Sequence, residues 1–322
     1  MLKNKRIFIT GGAGFIGSLL AKNLCTDNQI LIYDNFGRNA LQFRGLDKHP
    51  NIQLEVGDIL DFEQLNQSLS KFCPTHVVHC AAIAGINTVI ENPTKTLRVN
   101  ILGTANLLDT IKRLNLNLDR VVLFSTSEIF GQQAFQSSET NNAVIGAVGE
   151  ARWTYAVSKL ADEHFGLAYY KEFGIPCTIV RPFNVYGPGQ VGEGALSIFI
   201  QRALQNETIY IHSEGTQIRA WCYVDDMIDG LMKCMVSPSA VGEAFNIGNV
   251  RAVTTIYGLA SSVCRILSSN SKIEFSGKKI ADVELRVPDI SKAKEILNFE
   301  AKVDLEEGIP LTAEYYRNFL KE

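Results

Sequence analysis

The sequence predicts an α/β fold in which a doubly wound parallel sheet carries a smaller C-terminal lobe. Three observations support this prediction. Short runs rich in β-branched residues alternate with segments of helical spacing, a glycine-rich turn follows the first run, and an aspartate ends the second. Because the runs are apolar on both faces and are separated by helices, we expect a sheet that helices cover on both sides.

Six runs in the first half of the chain have the character of buried strands. They are RIFIT (6–10), QILIYD (29–34), IQLEVGD (52–58), HVVHCAA (76–82), RVVLFST (120–126) and CTIVRP (177–182). The pattern changes after residue 182, where a Gly/Pro-rich loop precedes a helix at about 195–206 and a short strand, TIYIH. We therefore predict one domain over residues 1–182, to which the chain returns near 220–250, and a lobe made mainly of residues 183–322.

The composition excludes a protein that binds its partner through bulk charge. Of the 322 residues, 46% are hydrophobic and 20% are charged, and the formal net charge is −3. This balance gives no general attraction for nucleic acid or for an anionic membrane. An anionic ligand must therefore be held by local groups.

The cysteines and the apolar segments bear on the compartment. The seven cysteines are scattered and never form a Cys-x-x-Cys pair, so we expect reduced thiols and no metal site. The first apolar run is too short for a signal peptide, and no stretch approaches the roughly 18 apolar residues of a membrane helix. We expect a cytoplasmic protein with neither a membrane nor a nucleic acid as partner.

The turn after the first run has the spacing of a dinucleotide site. Gly11, Gly14 and Gly17 lack side chains, so backbone amides can approach a pyrophosphate and the following helix can pack on the strand. Asp34 ends the second run about twenty residues further on, where a carboxylate accepts hydrogen bonds from both hydroxyls of an adenosine ribose. Since this carboxylate repels a 2′-phosphate, the sequence predicts a Rossmann domain that prefers NAD over NADP. Asp58 either meets the adenine edge or serves only the turn that it occupies.

Tyr155 and Lys159 lie four residues apart and therefore on one face of a predicted helix. A phenol with a reference pKa of about 10 is a poor base at neutral pH, and lowering its pKa by roughly three units requires about 4 kcal/mol. A neighbouring ammonium and a nicotinamide cation can supply this stabilisation. The spacing is also that of an ordinary amphipathic helix, so its significance depends on the dinucleotide turn ahead of it.

Taken in order, these motifs make the chain similar to a known family. It resembles the extended short-chain dehydrogenase/reductases that modify nucleotide sugars in TGGAGFIG, Asp34, HCAA, RVNILGT, STSEIFG, YAVSK, RPFNVYGPGQ and GTQIRAWCYVDD. The resemblance covers nearly the whole chain. It implies that Thr126 hydrogen-bonds the sugar at carbon 4, that Tyr155 takes the hydroxyl proton, and that Lys159 holds the nicotinamide ribose while hydride passes to NAD.

The resemblance also implies two sets of binding residues. The cofactor set comprises Gly11, Gly14, Phe15, Ile16, Gly17, Asp34, Asn35, Asp58, Ile59, Ala81, Ala82, Asn100, Tyr155 and Lys159. The substrate set comprises Thr126, Asn184, Ala195 and Arg219, and the loop VGEGA (191–195) lies where the family wraps the diphosphate. Arginine suits this task because its planar fork binds phosphate or carboxylate through two hydrogen bonds. An ordinary surface arginine on a strand is the alternative for Arg219.

The residues after Thr126 bear on the step that follows oxidation at carbon 4. The order Thr126, Ser127, Glu128 resembles UDP-glucuronate decarboxylases and GDP-mannose 4,6-dehydratases, whereas 4-epimerases usually lack the carboxylate. The segment GEARWTYAVSK is similar to bacterial decarboxylase domains, but the loop GPGQVGEG is similar to epimerases and dehydratases. The predicted catalytic set is Thr126, Ser127, Glu128, Tyr155 and Lys159. Decarboxylation and dehydration stay open, ahead of 4-epimerisation.

Two alternative functions stay open, and the sequence also predicts a homodimer. An NAD-binding regulator without activity is one alternative, although such proteins generally lose the tyrosine or the lysine, and a dehydrogenase that releases NADH is the other. The helices near 100–114 and 154–173 carry broad apolar faces, and in the resembled family this pair forms a four-helix interface. We therefore expect a homodimer acting on a nucleotide sugar, although core packing explains the same apolar faces.

Overall fold

The structure is a computed structural model that describes residues 2–277 and 283–319. Its strands are β1 (Arg6–Thr10), β2 (Gln29–Asp34), β3 (Ile52–Val56), β4 (His76–His79), β5 (Arg120–Phe124), β6 (Gln133–Ser137), β7 (Cys177–Pro182), β8 (Val185–Tyr186), β9 (Ile209–Ile211), β10 (Ile218–Ala220), β11 (Cys222–Tyr223), β12 (Ala244–Ile247), β13 (Val253–Thr255), β14 (Ile273–Phe275) and β15 (Leu285–Pro288). Its α-helices are α1 (Phe15–Leu24), α2 (Phe62–Phe72), α3 (Ile86–Glu91), α4 (Pro93–Leu97), α5 (Gly103–Arg113), α6 (Thr154–Phe173), α7 (Ala195–Gln205), α8 (Val224–Val236), α9 (Ile256–Ile266), α10 (Ser291–Leu297) and α11 (Leu305–Phe319). A π-helical turn (Arg98–Leu102) leads into α5, and a 3-10 turn (Ser127–Phe130) follows β5.

Seven strands form one parallel sheet in the order β12-β7-β5-β4-β1-β2-β3. This arrangement confirms the predicted doubly wound fold, and all six predicted runs supply strands to it. The order reverses beside β1, since the chain runs outward to β2 and β3 and then returns to β4 on the other side. The carboxyl ends of β1 and β4 therefore diverge into a crevice, which is where ligands bind in sheets of this kind.

Helices cover both faces of this sheet, which explains why its strands are apolar throughout. Along β1, Ile7 and Ile9 pack into the core that contains α1 and α8, whereas Phe8 packs into the core that contains α2 and α5. All three side chains are fully buried. A third core lies in the C-terminal lobe, where Trp221 and Leu259 pack with residues of α7 and α11.

The two halves of the chain exchange strands. β6 precedes residue 182 but pairs with β15, in a four-stranded sheet of the order β13-β10-β15-β6. β12 follows residue 182 but pairs in parallel with β7, where Ala244 stands opposite Ile179. Neither the four-stranded sheet nor β6 was predicted, because β6 exposes most of its side chains and has no apolar run.

Candidate active site

A cleft of about 1000 Å³ opens at the carboxyl ends of β1 and β4. Every predicted cofactor residue lines it except Asn100. Asn100 is fully buried behind the cleft wall, where its Oδ1 accepts from the Ile83 amide at 2.8 Å and its Nδ2 donates to Ser158 Oγ at 2.9 Å. Asn100 therefore holds the segment after β4 against α6, one layer away from any ligand.

The glycine-rich turn is built for close approach of backbone. Gly11 has a φ of +66°, and its amide donates to the Tyr33 carbonyl at 2.9 Å. A Cβ atom on Gly11 would stand 2.4 Å from the Ala81 amide nitrogen, and one on Gly17 would stand 2.7 Å from Gly12 Cα. Because side chains are sterically excluded here, the turn leaves the amides at the start of α1 open to a pyrophosphate.

Asp34 ends β2 at the cleft and fits the ribose of an adenine dinucleotide. Its side chain is buried, Oδ2 accepts from the Ala13 amide at 2.9 Å, and Oδ1 accepts from the Phe36 amide at 2.8 Å. Burial raises the pKa of Asp34, and these amide hydrogen bonds counteract the rise. Asp58 also lines the cleft, while its Oδ1 accepts from the Leu60 amide at 2.9 Å, so it fulfils the turn role that the sequence left open.

Thr126 and Tyr155 meet beside the cleft; Tyr155 lines it, whereas Thr126 does not. Thr126 precedes the 3-10 turn and caps it, since its Oγ1 accepts from the Glu128 amide at 3.2 Å. The Tyr155 phenol forms a side-chain hydrogen bond with Thr126. Burial raises the pKa of Tyr155, the charges of Glu128 and Asp162 raise it further, and the bond to Thr126 lowers it.

The surroundings of Lys159 differ from the expectation for a tyrosine activator. Its Nζ lies 2.6 Å from Asp162 Oδ2, and both side chains are only 1% exposed. Asp162 therefore offsets the charge that was expected to acidify Tyr155. Lys159 does line the cleft, so its ammonium is placed to contact a bound cofactor.

Glu128 forms ion pairs with two buried arginines. Its Oε2 accepts from Arg152 Nη1 at 2.6 Å, and its Oε1 lies 3.9 Å from Arg286 Nη1. Both arginines are buried, and Arg286 also donates to the Gly131 carbonyl at 3.0 Å. Sequence analysis did not identify Arg286, and the available signal was a charged residue inside the strand-like run LRVP.

The predicted substrate residues lie on the lobe side of the site. Arg219 is buried on β10, so it is not a surface arginine, and it stands opposite Arg286 in the parallel pairing with β15. Asn184 has a φ of +35° and donates from Nδ2 to the Ala220 carbonyl at 2.8 Å. Ala195 is the first residue of α7. Asn184, Ala195 and Arg219 do not belong to the cleft lining.

The loop 187–194 is fastened across the mouth of the cleft. Glu193 accepts hydrogen bonds from the Asn87 amide at 2.9 Å, the Thr88 amide at 3.0 Å and Thr88 Oγ1 at 2.9 Å. These bonds lower the pKa of Glu193, although burial alone would raise it. Arg44 holds the other end, because its Nη2 donates to the Pro188 carbonyl at 3.0 Å and its Nε donates to Ser18 Oγ at 2.7 Å. Neither Glu193 nor Arg44 was singled out from the sequence.

The described part of the chain, residues 2–277 and 283–319, contains neither a metal site nor a helix that could span a membrane. Within these ranges, no group of three or more His, Cys, Asp or Glu side chains is placed to hold a metal ion. No helix in the same ranges has both the length and the apolar character that crossing a membrane requires.

Comparisons with known proteins agree with this geometry. Residues 7–248 match the NAD dependent epimerase/dehydratase family. UDP-glucuronic acid decarboxylase 6 of Arabidopsis thaliana is 34% identical over 98% of this chain and 89% of its own length. The UDP-N-acetyl-alpha-D-glucosaminuronate decarboxylase of Bacillus cytotoxicus is 32% identical over 97% of this chain and 98% of its own length.

The agreement extends to three dimensions. The crystal structure of UDP-glucuronic acid 4-epimerase from Bacillus cereus, in complex with UDP-glucuronic acid and NAD, superposes with a TM-score of 0.88 at 29% identity, over 98% of this chain and 99% of that one. The family match spans both the glycine turn and the Tyr155 helix, and the cleft has the backbone approach and the carboxylate that a dinucleotide needs. The chain therefore belongs to the NAD dependent epimerase/dehydratase family, and its cofactor is NAD.

Proposed function

We propose that this protein decarboxylates a nucleotide-linked uronic acid, with UDP-glucuronate as the first substrate to test. The observation that carries the proposal is the position of Glu128 between Arg152 and Arg286, beside the Tyr155 phenol. Nearly full-length similarity to two enzymes named as decarboxylases of UDP-linked uronic acids supports the same reaction.

The first step in this proposal is oxidation of the sugar at carbon 4. Tyr155 takes the hydroxyl proton, and Thr126, which is hydrogen-bonded to the phenol, orients the same hydroxyl. The cleft residues would hold NAD, which would supply hydride-transfer chemistry at carbon 4 when bound. Lys159 faces the cleft and binds the ribose, which places the reacting groups in register.

The second step is loss of carbon dioxide. A ketone at carbon 4 makes the uronic acid a β-keto acid, so the protein has only to hold the carboxylate and deliver a proton to carbon 5. Arg219 and Arg286 are neighbours across β10 and β15, and guanidinium groups bind carboxylate and diphosphate well. We assign to Glu128 and Ser127, which Arg152 and the 3-10 turn hold in place, the orientation of a water molecule that delivers this proton to carbon 5.

Dehydration fits this site less well. Removing water across carbons 5 and 6 requires an acid for the departing hydroxyl in addition to a base. Ser127 stands where glucose-type 4,6-dehydratases carry an aspartate. GDP-mannose 4,6-dehydratases share the serine, and against that class the nearly full-length similarity to decarboxylases favours loss of carbon dioxide. The second candidate is 4-epimerisation, which is favoured by the likeness to the Bacillus cereus 4-epimerase.

Mass spectrometry of the reaction products tests the proposal. Purified protein is incubated with NAD and, in separate reactions, UDP-glucuronate, UDP-N-acetylglucosaminuronate and UDP-glucose. Loss of carbon dioxide from a uronate supports decarboxylation, loss of water indicates dehydration, and unchanged mass with altered retention indicates epimerisation. Tyr155→Phe is the control, because it should bind NAD yet form no product; equal turnover would remove Tyr155 from the chemistry.

We also propose a homodimer formed through α5 and α6 in the cytoplasm. On the apolar face of the helix near 100–114, Leu108 and Ile111 are core residues, but Leu102, Val157 and Phe173 are each more than 40% exposed. All seven cysteines lie in the described part of the chain as free thiols, which agrees with a reducing compartment. The mass in solution of wild type and of Val157→Glu tests the dimer; a monomeric wild type would refute it.

A further inference from the structure

Asp162 introduces a negative charge that neither the motif Tyr-x-x-x-Lys nor the proposed function uses. Tyr155, Lys159 and Asp162 follow one another at intervals of four and three residues, so all three lie on one face of α6. Lys159 Nζ and Asp162 Oδ2 are 2.6 Å apart, and each side chain is 1% exposed. Asp162 Oδ1 has no hydrogen-bond partner among the described residues.

We propose that Asp162 is a positioning residue that anchors Lys159 and offsets its charge, so that Tyr155 stays protonated until a cationic cofactor is bound. The inference rests on the proposed function only in taking Tyr155 as the acid–base group. In this proposal, Asp162 is the residue that keeps Tyr155 protonated in the cofactor-free enzyme.

The charges around Tyr155 support this role. From the 3-10 turn, Glu128 faces Tyr155, but Arg152 and Arg286 partner its carboxylate. From α6 itself, the charge of Asp162 raises the pKa of Tyr155, and Lys159 is paired with Asp162 at 2.6 Å. A lone ammonium one helical turn away on the same face would favour the phenolate. With Asp162 present, burial dominates and the pKa of Tyr155 is raised.

β4 adds no compensating positive charge. Burial lowers the pKa of the His79 imidazole to about 3, and the charge of Lys159 acts in the same direction, so the ring is neutral under ordinary conditions. Its ring nitrogens bond to Thr10 Oγ1 at 2.7 Å and to Thr104 Oγ1 at 3.0 Å. Cys80, beside it, remains a thiol because burial raises its pKa to about 12.

The arrangement suits a reaction that oxidises and then reduces the same carbon. With the positive charge of oxidised cofactor in the cleft, Tyr155 can release its proton and act as a base. When that charge is absent, the Lys159–Asp162 pair supplies no net positive charge, so Tyr155 keeps its proton. A proton taken from the substrate in the first step is thus kept for the last step.

Asp162→Asn tests the inference, because asparagine keeps an oxygen for Lys159 and removes only the charge. The readout is the phenolate absorbance of cofactor-free protein during a pH titration, with the same variant carrying Tyr155→Phe subtracted. We expect the Tyr155 midpoint to move to lower pH by about one unit, and the acid limb of kcat/KM to move the same way. Glu163→Gln is the matched control: it removes the same charge from the next residue, which pairs with Arg181 at 2.7 Å, and should leave the midpoint in place.

The Tyr155 midpoint and the turnover together distinguish a failure of the Asp162 role from a failure of the proposed function. An unchanged midpoint in Asp162→Asn, or an equal shift in Glu163→Gln, would overturn the role of Asp162. A shifted midpoint without turnover of any nucleotide sugar would leave Asp162 in place and refute the proposed function. If Asp162→Asn does not fold, a second pair of variants tests the same role. Lys159→Gln should raise the Tyr155 midpoint, and the double variant Lys159→Gln/Asp162→Asn should restore it, because the pair then loses both charges. Failure to restore the midpoint would refute the proposal that Asp162 offsets the charge of Lys159.

Discussion

Glu128 and Arg152 lie 24 positions apart in the sequence, and their side chains meet at 2.6 Å beside Tyr155. Sequence analysis singled out Glu128 from the order Thr126, Ser127, Glu128, and Arg152 lies in the segment GEARWTYAVSK that is similar to decarboxylases. It did not predict that they form a pair, because a contact between a 3-10 turn and the start of a helix has no periodic signature. The same is true of Asp162, since an acid three residues after Lys159 is also the pattern of a solvated helix face.

The Glu128–Arg152 pair leads to a prediction about turnover. Arg152→Ala leaves Glu128 without its closest cation, so we expect product formation to fall by about a hundredfold while NAD binding is kept. Glu128→Gln should match it, because each change breaks the same pair. Initial rates and calorimetric NAD binding measure the effect.

Arg251→Ala is the control for Arg152→Ala. Arg251 also pairs with a carboxylate, Asp304, but both side chains are about half exposed. Exposed pairs contribute little, so this variant should stay within a factor of two of wild type. Near-normal turnover in Arg152→Ala would show that the pair serves only the fold.

At the level of elements, the sheet was predictable and the cleft was only partly so. β1, β2 and β7 have the predicted limits. β4 and β5 stop before Cys80 and Ser125, and both of these residues line the cleft. Short strands such as β10 and β15 could not be predicted, because their two arginines interrupt any apolar pattern.

The turn after β1 gives a prediction that separates strain from crowding. Gly11 and Gly45 have nearly the same φ, +66° and +65°, but a Cβ on Gly11 would meet the Ala81 backbone, whereas nothing lies within 4 Å of one on Gly45. Gly45→Ala should therefore cost about 1 kcal/mol of unfolding free energy and keep NAD affinity. Gly11→Ala should cost more and abolish NAD binding. Denaturant unfolding and NAD titration measure both, and equal effects would contradict the argument.

β4 gives a prediction about pH. The His79 pKa is about 3 in the folded chain against 6.5 as the reference value, so between these limits the unfolded chain binds a proton that the folded chain does not. Unfolding free energy should thus fall as pH drops below about 6.5, by up to about 1.4 kcal/mol per pH unit from this residue. Calorimetry of wild type and His79→Gln measures it. The variant should show a shallower slope and the exposed His164→Gln an unchanged one; identical slopes for all three would refute the assignment.

For the whole molecule, the loop 187–194 connects the C-terminal lobe to the cofactor cleft. Glu193→Ala removes three hydrogen bonds to Asn87 and Thr88, so we expect NAD to dissociate about tenfold faster with little change in melting temperature. Stopped-flow displacement of NAD measures the rate. The exposed Glu207→Ala is the control and should behave as wild type; equal rates in both variants would show that the loop does not retain the cofactor.

The exchange of β6 and β12 between the two halves predicts how fragments of the chain divided at residue 182 behave. A fragment ending at residue 182 would leave β7 as an open edge of the large sheet, without the β12 that covers it. The complementary fragment would lose β6 and expose β15 in the same way. We expect each fragment to aggregate when produced alone and the intact chain to melt in one transition, so the two lobes are a single folding unit although their roles differ.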